Sequence, residues 1–570
     1  MIRVWFGAPG RCLAGFVHAP PGLAHGPAVV LCPPLGRDHI VSYVQYRQVA
    51  DQLAAAGLVA MRFDYDGIGD SDGGLGDPDR VEAWTESIVA AVRFLGDHGA
   101  TRVSLVGLRL SCLLAVEAAQ RLGGVARLVA WDPQDSGRGF LREQLMLARM
   151  ATTGVEPVED GSVHGFGAVF APAVAAEVSS LRARATDRPV AERLLVLHRP
   201  GAEPDAALTA TWAERVDLAV TTEQDEVFEA DPPRLARKAA AALVAWLADD
   251  LEPLSWTPPA EAGPAVVHDR MGRPLLERPW RSADGLLYGV LSEPVTPPAE
   301  PAPRVLLLPP GSWHRIGLGR MWVDVARDCA TRGVTALRLD VSGLGDSGVR
   351  PGQPTRVVFA DEAVDDVLMA LRELDDGHGV RLVGHCSGAW NALDAAVRLT
   401  PEDPRVVSLH AIGTPAYLDK TPWLHPDAPV TATRSSVVHR VVLRLGRRDA
   451  LERHRHRVPA PVWRVLDRLG ILPSPARRLQ VLLERGVAVH LVSDQRDAIW
   501  WHAEGRAWHQ ARQGDPLFSA HELPYVDHQM AASASRQKIG SLLREQLLQA
   551  DGDGGVASPP DPATPRPFVV

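Results

Sequence analysis

Short apolar runs alternate along this chain with longer stretches whose apolar residues recur at helical spacing, and the whole succession occurs twice. The run PAVVLCPPLGRDH (27–39) enters a Pro-Gly turn, and PRVLLLPPGSWHR (303–315) does the same. AAAGLVAMRFDYDGIGDSDG (54–73) pairs with ATRGVTALRLDVSGLGDSGV (330–349), each a helix end, a short buried strand and a Gly-rich loop. TRVSLVGLRLSCLLAVEAAQRL (101–122) pairs with GVRLVGHCSGAWNALDAAVRL (379–399), each a strand, a sharp turn and a helix. The offset stays at 276 to 277 residues. Strands that alternate with helices predict a mostly parallel sheet covered on both faces, an α/β fold. The repeat predicts two such domains in tandem.

The stretch 251–264, rich in Pro and Ala, reads as a linker between a first domain (1–250) and a second (265–550). Residues 551–570 have no apolar periodicity and read as a disordered tail. Bulk composition fits a soluble globular protein with two cores: 570 residues exceed one ordinary core, with 46% hydrophobic and 23% charged residues. No apolar run reaches the roughly 18 residues of a membrane span, and MIRVWFGAPG lacks the apolar core of a secretory signal, so the expected location is cytoplasmic. A net charge of −9 argues against nucleic-acid binding. The five cysteines, Cys12, Cys32, Cys112, Cys329 and Cys386, are sparse and unpaired in spacing, so neither a disulfide framework nor a metal site is expected. Four of them read as small core residues. Oligomeric state is not legible.

The repeat also sorts structural motifs from chemical ones. Asp340, Gly343, Gly345, Asp346 and Ser347 have full counterparts in Asp64, Gly67, Gly69, Asp70 and Ser71. A loop kept in both copies is expected to be a turn and packing device. The sharp turn differs. In the second copy it reads Gly384-His385-Cys386-Ser387-Gly388, with small residues flanking a nucleophile between strand and helix. Cys386 would sit at a helix N-terminus, whose dipole and free N–H groups favour a thiolate. The Ser387 N–H would form one half of an oxyanion hole, and the turn at Gly311 and Ser312 the other.

In the first copy the turn reads Gly107-Leu108-Arg109-Leu110-Ser111. Arginine cannot attack an acyl carbon, and the turn does not project Ser111 or Cys112. Its matching downstream loop, TTEQDEVFEADPP, holds no histidine. The first domain is therefore expected to be catalytically silent. In the second, GVAVHLVSDQRDAIWW runs from a strand into an acidic turn, with Asp497 preferred as the orienting acid and Asp494 the alternative. HELPYVDHQM then places His528 in a loop, with Asp527 beside it as a capping residue. His385 and His314 read as pocket walls, and Trp390 as acyl-pocket wall or ordinary core.

The stretches GSWHRIGLGRMWVDVARDCATRGVTALRLDVSGLGDSG and WDPQDSGRGFLREQL, together with the terminal DHQM, resemble the α/β-hydrolase superfamily over nearly the whole chain. The closer resemblance is to its serine-aminopeptidase-like branch, including the hydrolases associated with exosortase gene clusters. It implies two α/β-hydrolase domains, the second with a helical lid, and a nucleophile, acid and histidine that form and resolve an acyl-enzyme without a cofactor. Carried over by position, these are Cys386, Asp497 and His528. Where most of the family has serine, this chain has cysteine.

A cysteine nucleophile makes a thioester, which exchanges readily with other thiols and can be passed to amines or hydroxyls. The expected function is acyl transfer from a carrier-protein or CoA thioester. Thioester or carboxylic-ester hydrolysis is the alternative, and a non-catalytic scaffold binding acylated partners is the reading from another class. The expected lid, about 415–485, supports a carrier. From Arg434 to Arg485 it holds thirteen arginines against four acidic residues on an otherwise acidic chain. Arg447, Arg448 and Arg453 are the candidates for docking an acidic, phosphopantetheine-bearing carrier.

Overall fold

The computed structural model describes residues 1–8, 10–152, 158–223, 228, 234–311, 313–353, 355, 358, 360, 362–414, 475–493, 506–523 and 526–548. They form two large sheets flanked by helices. The first runs in the order Ile2–Phe6, Leu13–His18, Leu58–Phe63, His25–Cys32, Val103–Leu108, Val125–Trp131, Ala191–His198, Ala213–Val220. The second runs Ala265–His268, Pro274–Arg281, Tyr288–Glu293, Ala336–Asp340, Arg304–Leu308, Val380–His385, Val406–Ile412, Ala488–Ser493, Phe518–Glu522. From Leu13–His18 onward the first matches the second, from Tyr288–Glu293 onward, strand for strand. In both, the leading strands are antiparallel and the rest parallel.

The central strands read as unbroken apolar runs because both of their faces are covered. In Val103–Leu108, Val103 and Leu105 join one core while Val106 and Leu108 join the other. Leu306 and Leu308 likewise face away from Val305 and Leu307. Cys32, Cys112 and Cys329 are buried in these cores, and Cys12 is half-buried against a separate small cluster of Val267, Leu275 and Ala330. Burial pushes the Cys329 thiol up to about 12.

The stretch read as a linker is laid along the first domain. Glu252–Pro253 pairs with His25 and Gly26, Thr257 donates its N–H to the His98 carbonyl (3.0 Å), and Ala262 donates to the Arg3 carbonyl (2.8 Å).

The two matched Gly-rich loops meet at the boundary between the sheets. Within each loop, the Asp64 and Asp340 carboxylates accept the backbone N–H of Asp70 and Asp346, both at 2.9 Å. A Cβ on Gly69 or Gly345 would lie 2.1 Å from those carboxylates, so only glycine fits. The loops then exchange charges across the boundary. Arg62 pairs with Asp346, and its counterpart Arg338 pairs with Asp70 at 2.5 Å. Arg315, fully buried, reaches Asp70 (2.5 Å), Asp346 (2.7 Å) and Asp340 (2.8 Å). Tyr43 donates its hydroxyl to Asp346 at 2.6 Å. The loops are turns and packing devices, as their presence in both copies implies, and they also join the domains.

Candidate active site

The strand Val380–His385 turns at Cys386 directly into the helix Ser387–Arg398. Cys386 adopts φ 51°, ψ −115°, a conformation that costs a non-glycine residue on the order of 1–3 kcal/mol. Its surroundings hold it there. Its N–H donates to the Ile412 carbonyl (2.9 Å), and its own carbonyl accepts from Trp390 (3.1 Å). The flanking glycines are sterically required. A Cβ on Gly384 would stand 2.4 Å from the Ala389 nitrogen, and one on Gly388 would stand 2.5 Å from the Leu308 carbonyl. The thiol-bearing residue is half-buried, whereas Cys32, Cys112 and Cys329 are fully buried.

His528 follows the strand Phe518–Glu522, and its ring lies 5.5 Å from that of His385, the neighbour of Cys386. The residue before it is fixed from below. The Asp527 carboxylate accepts the N–H groups of Ala531 (2.6 Å) and Ala532 (3.0 Å) and the hydroxyl of Ser535 (2.6 Å), capping the approach to the helix Ser533–Leu548. Both candidate acids, Asp494 and Asp497, lie outside the described residues, as do Ser312, most of the expected basic lid and Arg447, Arg448 and Arg453. The strand that leads to the acids, Ala488–Ser493, is described and ends one residue before Asp494. The carboxyl ends of three strands in one parallel array lead directly to Cys386, directly to Asp494 and onward to the segment with His528. In open parallel sheets this edge is where ligands bind.

Two sequence expectations change here. The Gly311 N–H donates to the Ser387 hydroxyl oxygen at 2.7 Å, so this proposed oxyanion donor is already engaged in tying its turn to the elbow. His314, read as a wall of the catalytic pocket, is instead buried at the domain boundary. Its ring stacks on Tyr43 of the first domain at 3.9 Å, and burial holds its pKa well below the usual range. His314 follows the Gly311 turn closely enough to be carried over to the opposite domain with Arg315.

The first domain keeps the elbow's backbone conformation with arginine in place of cysteine. Arg109 stands at the same turn with φ 59°. Its guanidinium is buried against Asp132 (3.1 Å), Asp38 (3.4 Å) and Glu143 (2.5 Å). Arg199 joins Asp132 at 2.9 Å. Burial lifts the Asp38 carboxyl to about 6 despite Arg109 beside it. Where the second copy needs Gly388, the first places Ser111, which donates its hydroxyl to the Pro33 carbonyl at 2.5 Å. An ion-pair cluster thus fills the position of a nucleophile.

The boundary arginines went unnoticed in the sequence, although a signal exists. Arg62 and Arg338 interrupt otherwise apolar runs, LVAMRF and ALRLD, at matched positions. A charged side chain inside a doubly covered strand needs a buried partner. Among the described residues no cluster of metal-binding side chains occurs, and no helix is long and apolar enough to cross a membrane.

No protein-family model matches the chain, and no curated protein matches it. Among solved structures it is similar to Est1E from Butyrivibrio proteoclasticus with bound ferulic acid, at 15% identity over 43% of this chain and 97% of that one, TM-score 0.32. It is also similar to an alpha-beta serine hydrolase homologue from Coxiella burnetii, at 16% identity over 43% and 96%, TM-score 0.28. A third is XC6422 from Xanthomonas campestris, a serine hydrolase without a lid, at 16% identity over 45% and 96%, TM-score 0.26.

Proposed function

We propose that the chain is a tandem α/β-hydrolase whose second domain transfers acyl groups through Cys386. The observation that carries this reading is the strained Cys386 turn between strand and helix, with glycines on both sides that no larger residue can replace. Backbone strain of this kind is retained where it exposes a reactive side chain. His528, oriented by Asp497 or Asp494, takes the thiol proton. The thiolate attacks the acyl carbonyl, and the oxyanion is received by the Ser387 N–H and, since the Gly311 N–H is engaged by the Ser387 hydroxyl, by the N–H of Ser312. The C–S or C–O bond to the leaving group then breaks, the imidazolium returns its proton to that group, and the acyl chain remains on Cys386 as a thioester. An acceptor thiol, amine or hydroxyl resolves it, and water in that role gives hydrolysis. The arginine-rich segment with Arg447, Arg448 and Arg453 favours a phosphopantetheine carrier or CoA as donor, because its positive charge contrasts with the acidic remainder. The first domain contributes no nucleophile.

The test is intact-mass spectrometry of wild type, Cys386→Ala and Arg109→Ala after incubation with acyl-CoA and acyl-carrier thioesters. An adduct lost only in Cys386→Ala is the expected result. Binding without an adduct on any form would replace this reading with a scaffold for acylated partners.

A further inference from the structure

A cavity of about 460 Å³ lies between the two domains, and no residue of the Cys386 elbow lines it. The first domain contributes Ile68 and Phe170 to its walls, and the second Met321 and Val325. It also touches Leu35 and Gly36, in the turn after the strand His25–Cys32, and so sits at the carboxyl edge of the first sheet. That edge is a ligand position in such sheets.

The cavity's charge is unbalanced. Four arginines border it, Arg270, Arg320, Arg536 and Arg544, against one carboxylate, Asp324. Arg270 lies 3.8 Å from Asp324 and 3.7 Å from Asp328, and Arg544 pairs with Asp328 at 2.9 Å. Arg320 and Arg536 have no carboxylate partner among the described residues. Arg320 donates to the carbonyls of Gly73 (2.7 Å) and Ser71 (2.9 Å), and its Nε has no partner among the described residues. Arg536 donates to the carbonyls of Met530 (2.6 Å) and Ala531 (2.7 Å). Burial pushes both guanidinium groups down to about 10, the direction expected of cations short of counter-charge.

The backbone here is also specialised. Arg320 has φ 62° without being glycine. Gly319 leaves no room for a Cβ, which would meet both the Arg536 Nε and the Gly167 carbonyl at 2.6 Å. The two domains are pinned beside the cavity by the Gly167 N–H on the Ala531 carbonyl (3.1 Å) and by His164 on Ser533 (2.8 Å). The helix Met321–Ala330 begins at the cavity, and its N-terminal dipole adds to the attraction for an anion.

We propose that this interdomain cavity binds an oxyanion-headed aliphatic chain, the head on Arg320 and Arg536 and the chain along Ile68, Phe170, Met321 and Val325. The volume falls in the range of small-molecule pockets, about 300–1,000 Å³. Apolar walls with two recessed guanidiniums suit an amphiphile better than a free inorganic anion. The silent domain thereby acquires a role as half of a second ligand site that senses a free acyl chain.

Calorimetric titration of the full chain tests this, using Cys386→Ala protein so that covalent capture does not contribute. The probes are dodecanoate, dodecyl phosphate and dodecanol, at submicellar concentration. At least one anion should bind saturably, one per chain and more than tenfold tighter than dodecanol, and the tighter of the two names the head group. Arg320→Gln and Arg536→Gln should each weaken that anion at least tenfold. Val169→Trp, which places an indole in the cavity, should abolish binding while leaving the unliganded melting midpoint within a few degrees, and this variant keeps the test open if an arginine variant fails to fold. No saturable binding of either anion, dodecanol as tight as the anions, or affinity unchanged in Val169→Trp would overturn the proposal.

Discussion

The backbone N–H of Gly311 donates to the side-chain oxygen of Ser387 across 2.7 Å, tying the turn after one central strand to the first residue of the elbow helix. The bond holds the two halves of the proposed oxyanion site in register. Ser387→Ala removes the acceptor and leaves the Ser387 N–H in place. Acylation of Cys386 should slow roughly three- to thirty-fold, with a stability change near the 1 kcal/mol of one neutral hydrogen bond. Single-turnover mass spectrometry measures the rate. A faster reaction would show instead that the bond withholds the Gly311 donor.

His528 and the acid are separable by rate. His528→Ala should lower acylation by about 10²–10⁴, the usual weight of a positioned base. Asp497→Asn should cost at least tenfold and Asp494→Asn less than threefold. The reverse order would assign the acid to Asp494.

Arg109 holds three carboxylates together, so its loss is a matter of stability and not of chemistry. Arg109→Ala should destabilise the protein by about 3–5 kcal/mol, the range for a buried charge left without its partner. Urea unfolding gives this value. The adduct per folded molecule on Cys386 should stay within twofold of wild type.

The domain boundary should be acid-labile. Burial alone would raise Asp70 and Asp346, but Arg315 and Arg338 outweigh it at Asp70, and Arg62 and Arg315 at Asp346, holding both well below the usual carboxylate range. Glu277 is lowered too, with Arg327 and Arg338 overcoming its burial. A carboxyl depressed in the folded state gives stability above its unfolded pKa, near 3.8 for Asp and 4.5 for Glu, and loses it as pH falls further. Asp340 is shifted the other way, one group against three. Unfolding free energy should therefore drop steeply below about pH 4, and Asp346→Asn should flatten that drop while costing about 3–5 kcal/mol at pH 7.

The sheets, their parallel sense and the elbow were legible because each rests on local sequence. An apolar strand, two glycines flanking one residue and the same order of segments in both halves are each written in short stretches of the chain. Asp527 was legible as a cap for the same reason. The boundary was not. Arg315 and Asp70 are 245 positions apart, and nothing near either one says that they touch. His314 was misplaced because the sequence shows that it follows the Gly311 turn but not which way the chain then leaves. The interdomain cavity was equally hidden, since its walls come from segments as distant as Ile68 and Arg536.

The crossed pairing of Arg62 with Asp346 and Arg338 with Asp70 makes each half the other's counterion. Excising the Cys386 half would strand Asp346 without Arg62 and leave Arg338 without Asp70, each on a surface now facing water. A break in the repeat at residue 264 is therefore not a place to cut. The half with Arg109 at its elbow is kept in place by the charge it completes, so the chain should melt in a single step and resist trimming to the Cys386 half.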